Sequence, residues 1–268
     1  MDRSILNKYK KPEEKLILSK ILDKISFCDT RNKIQVTDFL DLSEQELIRK
    51  FLLSQKQKKY LFFGGFEKAE RKVIIFYPEK LESLIKEEKI DFNEWIKIIR
   101  LTLPNENKGK YEHRNYLGAL MKLGIKREKV GDILVDENGA DIIIHKDILK
   151  FSKSNLLELT RFQKAKLEEI NLKDIRKVNI EKEQIKITVS SMRLDNVVAE
   201  LAKCSRNKAQ ELLIQERVLV NFETNTKPSK EIKENDLITI RGKGRYQICE
   251  ILGNSKKGKI IIKVEKFN

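Results

Sequence analysis

The sequence predicts an α+β protein of three units, and three patterns of apolar residues support this prediction. Residues 1–78 combine helical spacing with two short apolar runs on either side of Gly64-Gly65. Residues 79–180 alternate between strand-like and helix-like patterns. Residues 181–268 carry two short helical patterns followed by strands. We therefore expect an N-terminal α/β unit, a central βαββαβ plait, and a C-terminal unit of two helices on a small sheet with a further C-terminal strand.

The N-terminal unit is predicted to begin with helices. Residues 1–26 have helical spacing, and Pro12 suits the first turn of the main helix. Ser43 and Glu46 have the spacing of a capping box for a second helix. The stretch "YLFFGGFEKAERKVIIFYP" then predicts a strand, a Gly-Gly turn and another strand, and Pro78 closes the unit.

The central unit is predicted to be a ferredoxin-like plait, because its elements follow the order β-α-β-β-α-β. The segments that predict them are 95–103, 111–125, 132–135, 140–145, 146–159 and 165–170. RNA-recognition modules share this RRM-like order and stack bases on aromatic strand residues. The strands here are not rich in aromatic residues. We therefore predict that this plait is a scaffold.

The composition indicates a charged globular protein that binds a polyanion. The 268 residues include 56 Lys and Arg against 41 Asp and Glu, a net charge of +15. Residues 190–268 hold 16 basic and 10 acidic side chains, so they carry +6 and the remainder +9. Charge alone does not single out the C-terminal unit.

No apolar run approaches a membrane span of ~20 residues, and the N-terminus lacks a signal-peptide core, so we expect a cytoplasmic protein that binds no membrane.

The cysteines and histidines do not predict a metal site. Cys28, Cys204 and Cys249 are far apart and form no CxxC pair, and His113 and His145 are the only histidines. We expect neither a metal nor a cofactor.

The first C-terminal helix is predicted from one apolar face. Leu194, Val197, Val198, Leu201 and Ala202 occupy relative positions 0, 3, 4, 7 and 8, which place them on the same side of a helix.

The second C-terminal helix is predicted to begin at an anion-binding surface. Ser205 suits the N-cap, and Arg206 and Lys208 follow in the first turn. Cations are mildly unfavourable at that end of a helix, so an anion such as a nucleic-acid phosphate is expected there. The alternative is that a carboxylate such as Asp195 neutralises them.

A second basic point is predicted at the tip of a hairpin over residues 236–252. Gly242 and Gly244 let the backbone approach a ligand closely. The neighbouring cations are Arg241, Lys243 and Arg245.

Residues 191–246 resemble the S4-type RNA-binding domain. The residues that carry the resemblance are "RLD" (193–195), "SRNKA" (205–209), "RVLVN" (217–221), Ser229, "DLITIRG" (236–242) and "GR" (244–245). Glu216 and Asn235 stand where the family usually has turn glycines. A left-handed conformation at Glu216 would cost ~1 kcal/mol, whereas Asn tolerates it.

The resemblance implies a set of RNA contacts on this unit. We predict an RNA surface formed by Arg193, Ser205, Arg206, Lys208, Gln210, Arg217, Arg241, Lys243, Arg245 and Tyr246. His113 and Arg114 are further candidate contacts outside it.

The resemblance extends over essentially the whole chain. The segments "TDFLDLSEQELI" (37–48), "GGFEKAER" (64–71) and "HRNYLGALMKLGIKREKVGDILV" (113–135) are similar to the YlmH family of bacterial S4-domain proteins. This resemblance implies binding to 23S rRNA and tRNA on the large ribosomal subunit, and a role in ribosome-associated quality control of stalled nascent chains. We expect a monomer without a small-molecule substrate.

The alternative function is that of an RNA-modifying enzyme. S4 domains accompany pseudouridine synthases and some methyltransferases, but generally at the N-terminus, whereas this one is C-terminal. Asp195 superficially matches a catalytic aspartate but lies inside an S4 helix. His113 beside Arg114 lacks a plausible nucleophile nearby in the sequence. We therefore predict a non-enzymatic RNA-binding factor.

Overall fold

The computed structural model describes residues 3–87, 89–176 and 182–267. The chain divides into two compact units, Met1–Val178 and Asn179–Asn268. The predicted boundary between residues 180 and 181 lies outside the described residues, and the predicted boundary after residue 78 stays a prediction. Within the described ranges, no helix is long and apolar enough to cross a membrane.

The first unit begins with two helices that pack on a three-stranded sheet. After a 3-10 turn over Arg3–Lys8, the elements are α1 (Pro12–Arg31), β1 (Gln35–Val36), α2 (Leu42–Ser54), β2 (Tyr60–Phe63) and β3 (Val73–Phe76), with sheet order β1-β3-β2. Pro12 is the first residue of α1, as predicted. The capping box of α2 lies two residues before the predicted one, because Asp41 and Glu44 bond each other's backbone amides at 2.9 and 2.7 Å.

The rest of the first unit is the predicted ferredoxin-like plait. Its elements are α3 (Glu82–Lys86), β4 (Ile96–Thr102), α4 (His113–Lys122), β5 (Val130–Asp136), β6 (Gly139–His145), α5 (Leu149–Asn155) and β7 (Lys166–Ile170). The sheet has the order β5-β6-β4-β7, and all its neighbouring strands are antiparallel.

The two sheets of the first unit pack face to face. In β3, Ile74 and Phe76 belong to the core beneath α1 and α2, whereas Val73 and Ile75 belong to a core that they share with Ile143 of the plait. All four β3 residues and all of β6 are buried for this reason. The plait face opposite its helices, on which RNA-recognition modules stack bases, is therefore covered.

The second unit contains two helices and a six-stranded antiparallel sheet. Its elements are β8 (Lys182–Val189), α6 (Leu194–Ala202), α7 (Arg206–Ile214), β9 (Val218–Val220), β10 (Glu223–Thr224), β11 (Leu237–Ile240), β12 (Gly244–Asn254) and β13 (Ile260–Phe267), with sheet order β10-β9-β11-β12-β13-β8. β12 and β13 form a long hairpin beyond the glycine turn.

The apolar face predicted for α6 is confirmed. Leu194, Val197 and Val198 are fully buried, and Leu201 and Ala202 are no more than 5% exposed. All five belong to the core of the second unit.

Glu216 and Asn235 are among the residues of the second unit that adopt the left-handed conformation, which glycine would adopt without strain. Glu216 follows α7 with φ of 55°, and Asn235 precedes β11 with φ of 67°. Both stand at the positions where the sequence departs from the S4 pattern.

We expect Leu201→Asp to unfold the second unit, because an unpaired buried charge costs several kcal/mol. Hydrogen exchange of the full-length chain, read for residues 182–267, should show loss of protection. Ile214→Asp is the matched control, since Ile214 is 73% exposed at the end of α7. Protection that persists in Leu201→Asp would contradict the assigned core face.

We expect Glu216→Gly to raise the free energy of unfolding by up to about 1 kcal/mol, because glycine removes the strain of a side chain at positive φ. Gln215→Gly is the control: Gln215 has φ of −74°, so glycine there adds only backbone entropy to the unfolded state and should destabilise. Urea unfolding of the two variants measures both effects, and equal changes would exclude strain at Glu216.

Candidate nucleic-acid interface

The start of α6 holds a buried carboxylate on which three side chains converge. Asp195 is 0% exposed and accepts hydrogen bonds from Arg206 Nε at 2.9 Å and from Gln210 Nε2 at 3.1 Å. Arg193 donates to both carboxylate oxygens, at 3.2 and 3.1 Å. The Arg206 Nη2 atom adds an ion-pair contact at 2.8 Å. Asp195 thereby joins the first turns of α6 and α7.

The backbone around Asp195 fixes it in place. Leu194 N donates to Lys230 O at 2.8 Å, and Asp195 N donates to Pro228 O at 3.1 Å. The start of α6 is thus tied to the segment that precedes β11, which holds the backbone of Asp195 in place.

The hydrogen bonds to Asp195 keep its carboxylate ionised. Burial by itself raises the pKa of a carboxyl group, but the bonds from Arg193, Gln210 and Arg206 outweigh burial and lower the pKa of Asp195 to about 2. One negative charge is then shared by two arginines. Their side chains remain 40% and 51% exposed, so the outer edges of both guanidinium groups can meet an anion.

The cations of the first turn of α7 pair with carboxylates of the protein. Such a pairing was the alternative to a bound phosphate in the sequence analysis. Arg206 pairs with Asp195, as that alternative supposed. Lys208 Nζ lies 2.6 Å from Glu211 Oε2, but both side chains are more than half exposed, so this pair is weak. Ser205 Oγ accepts from Lys208 N at 3.2 Å and caps the helix.

Two of the predicted RNA contacts, Gln210 and Tyr246, have side chains directed into the second unit. The Gln210 amide is directed at the buried Asp195 carboxylate. Tyr246 is 4% exposed in the core of the second unit, and its hydroxyl donates to Lys243 O at 3.0 Å. An aromatic ring inside the core cannot stack on a base, so Tyr246 supports the turn before β12.

A second group of cations surrounds the turn between β11 and β12. Arg217 Nη2 donates to Arg241 O at 2.9 Å, and Arg241 N donates to Arg217 O at the same distance. A side chain at Gly242, whose φ is +81°, would place its Cβ 3.0 Å from Arg217 Nη2. Glycine therefore lets the Arg217 guanidinium pack closely over the turn, beside the exposed Lys243.

Arg245 belongs to the same turn but has its own contacts. Its guanidinium lies 5.8 Å from the centre of the Phe267 ring, across the strand pair β12–β13. Arg206 starts α7 and Arg217 follows its end, so the two basic groups lie at opposite ends of a nine-residue helix about 14 Å long.

The remaining candidates, His113 and Arg114, lie in the first unit. His113 is the first residue of α4 and is exposed. Arg114 Nε lies 3.0 Å from Glu112 Oε2, with both side chains more than 70% exposed. Among the described residues, no group of three His, Cys, Asp or Glu side chains could hold a metal ion.

Two arginines of the first unit that were not among the predicted RNA contacts, Arg71 and Arg127, converge at the start of β5. Both lie in segments that carry the family resemblance. Their place in these segments could have marked both arginines as candidates, but a net charge summed over the whole unit does not single out individual residues.

Comparison with known proteins finds two family models that match this chain. Residues 87–188 match the family model described as "Putative RNA-binding domain in YlmH", and residues 192–238 match the S4 domain. The chain is 34% identical over 256 residues to "Ribosome-associated protein quality control protein P2" of Bacillus subtilis (strain 168), which covers 95% of each chain. The chain belongs to the YlmH family. The structure of "Cell division protein ylmH from Streptococcus pneumoniae" aligns with 63% of this chain and 98% of its own at 22% identity, with a TM-score of 0.47, too low to support an argument.

We expect the contribution of Asp195 to stability to disappear as the pH falls. Its folded-state pKa is about 2, below its ordinary value of 3.8, so the contribution is complete above about pH 5 and is lost as the pH falls towards 2. The shift corresponds to about 2 kcal/mol. The difference in unfolding free energy between wild type and Asp195→Asn should narrow by that amount from pH 5 to pH 2, and a constant difference would contradict the carboxylate's role.

Proposed function

We propose that this protein is an RNA-binding factor that acts on the large ribosomal subunit and contacts 23S rRNA and tRNA through its S4 unit. It works in the cytoplasm, as a monomer and without catalysis, in quality control of stalled nascent chains. The observation that carries the proposal is the Asp195 cluster, which holds Arg193 and Arg206 rigidly with their outer edges exposed.

The arrangement of cations in the S4 unit suits a phosphate backbone. One group lies at the start of α7, where the helix terminus adds to the attraction for an anion. The other lies beyond the opposite end of α7, at the β11–β12 turn, and includes Arg217, Arg241 and Lys243. Two separated basic groups can hold one strand at two phosphates, which fixes its direction.

The ribosomal part of the proposal is supported by the Bacillus subtilis relative, whose name describes a ribosome-associated quality-control protein. Its identity covers 95% of both chains, so the first unit and the S4 unit are shared together.

The alternative of an RNA-modifying enzyme finds no support at Asp195. A catalytic carboxylate must reach its substrate. Asp195 is 0% exposed and its oxygens are occupied by two arginines and Gln210. Its role is to position the arginines.

We expect Lys208→Gln and Lys243→Gln each to weaken RNA binding uniformly across sequences and to lower the slope of log affinity against log salt by about one unit. Lys256→Gln is the matched control, because Lys256 lies beyond the far end of β12, roughly 30 Å along the hairpin from Arg245. Titration of RNA fragments and of large ribosomal subunits measures both quantities. Equal effects of all three variants would contradict a localised S4 surface.

The RNA bound in cells tests the remaining part of the proposal. Crosslinking followed by sequencing should enrich 23S rRNA and tRNA, with fewer crosslinks in Lys208→Gln. A base that is changed only when the protein is present would instead establish the modifying enzyme.

A further inference from the structure

Two arginines of the first unit converge on one backbone carbonyl. Arg71 Nε donates to Val130 O at 3.0 Å, and Arg127 Nη1 donates to the same oxygen at 2.6 Å. Arg71 Nη2 also donates to Phe39 O at 2.9 Å, and Arg127 Nη1 contacts Gly131 O at 3.2 Å. The two guanidinium groups are therefore held side by side.

The local shape of β5 creates this site. β5 is an edge strand of the plait, and its pairing with β6 shifts register between Val130 and Ile133. Such a bulge frees backbone groups from the ladder and redirects side chains. A Cβ at Gly131 would come within 2.8 Å of the Phe39 ring, so the bulge is packed tightly against the segment before α2.

The positive charge of the pair is not neutralised by a direct contact. The acceptors of both arginines are neutral carbonyls, and none of the ion pairs recorded within residues 3–87 and 89–176 involves either arginine. The carboxylate of Asp132 accepts from the backbone amides of Glu70 at 2.6 Å and Arg71 at 3.1 Å, and the charges of Asp132 and Asp41 act on both arginines without a direct contact. Burial and the charge of Arg71 lower the pKa of Arg127 to about 10, although Asp132 and Asp41 act in the opposite direction.

The pair retains donors that can reach a ligand. Arg71 Nη1 and Arg127 Nε and Nη2 have no hydrogen-bond partner among the described residues, and both arginine side chains are only partly buried. His113 is the first residue of α4, and its side chain reaches solvent although the ring is partly shielded by the protein. This shielding and the charge of Arg127 lower the pKa of His113, so the ring is neutral at pH 7 and can donate one hydrogen bond.

We propose that Arg71 and Arg127 form a phosphate-binding pair that holds the backbone of RNA against the first unit. Paired arginines match the oxygen geometry of a phosphate. The pair lies beside the edge strand β5, and neither arginine lines the cavities of 480, 570 and 810 Å³ described in this unit, which favours an extended strand over an enclosed small molecule. The choice of RNA rests on the proposed function, but the site lies outside the S4 surface.

The test is Arg127→Gln in the full-length chain, with Lys126→Gln as the matched control. Lys126 is exposed and adjacent in sequence, so both variants lose one positive charge in the same segment. We expect Arg127→Gln to weaken binding of a short single-stranded RNA about tenfold and to lower the salt slope by about one unit. Lys126→Gln should change affinity by less than about twofold. The melting temperature of Arg127→Gln without RNA should stay the same or rise, because a like-charge contact is relieved.

Protection of the wild-type protein from chemical modification provides a measurement that does not depend on the folding of a variant. Phenylglyoxal modifies accessible arginines, and mass spectrometry locates the adducts. RNA should shield Arg71 and Arg127, whereas the exposed Arg31 at the end of α1 should react equally with and without RNA.

Three results would overturn the proposal. If Arg127→Gln lowers the melting temperature while RNA affinity is unchanged, the arginines only brace the β5 bulge. If pyrophosphate stabilises the wild type but not Arg127→Gln, and RNA affinity is again unchanged, the site takes a free phosphate compound. If RNA does not shield either arginine although Lys208→Gln weakens binding, the S4 surface acts alone and the proposed function stands without this site. A wild-type protein that binds no RNA would instead reject the proposed function.

Discussion

The burial of Asp195 is the constraint on which the candidate S4 interface depends. A carboxylate without solvent must be paired, and here two arginines and an amide satisfy it. The same contacts fix the angle between α6 and α7 and immobilise two guanidinium groups before any ligand arrives. An interface arranged in this way loses less side-chain entropy on binding RNA than one made of free lysines. Stability and binding therefore depend on the same residue, which need not touch the ligand.

The first unit differs from the S4 unit, because one face of its plait sheet is buried against the three-stranded sheet. The core that Val73 and Ile75 share with Ile143 joins the three-stranded sheet to the plait and removes the usual base-stacking face from solvent. An RNA that binds this unit as we propose would contact its edges and loops. The start of β5 is such an edge, and there two arginines are held by carbonyls rather than by carboxylates.

The two sites place cations by opposite means. At Asp195 one negative charge is shared by two arginines, so a net positive charge remains beside a strong structural anchor. At Val130 the anchor is a neutral oxygen, and both charges remain. Exposed pairs such as Lys208–Glu211 contribute little to stability in either case. The fixed arginines, rather than the more numerous exposed lysines, give the surface its geometry.

Much of the fold was determined by the sequence alone, because periodicity is a local property. The face of α6, the plait and the first residue of α1 were predicted from spacing, whereas Glu216 was identified only as a departure from the S4 pattern, and the structure showed its left-handed conformation. The sequence also showed where the basic residues lie along the chain, and it offered Asp195 as a possible partner of Arg206. Only the tertiary structure decided which residue faces which. It placed Tyr246 in the core, directed Gln210 at Asp195, covered the plait sheet, and brought Arg71 to Arg127 across 56 residues of chain. Pairings over such separations depend on how the layers pack, and a one-dimensional pattern does not contain that information.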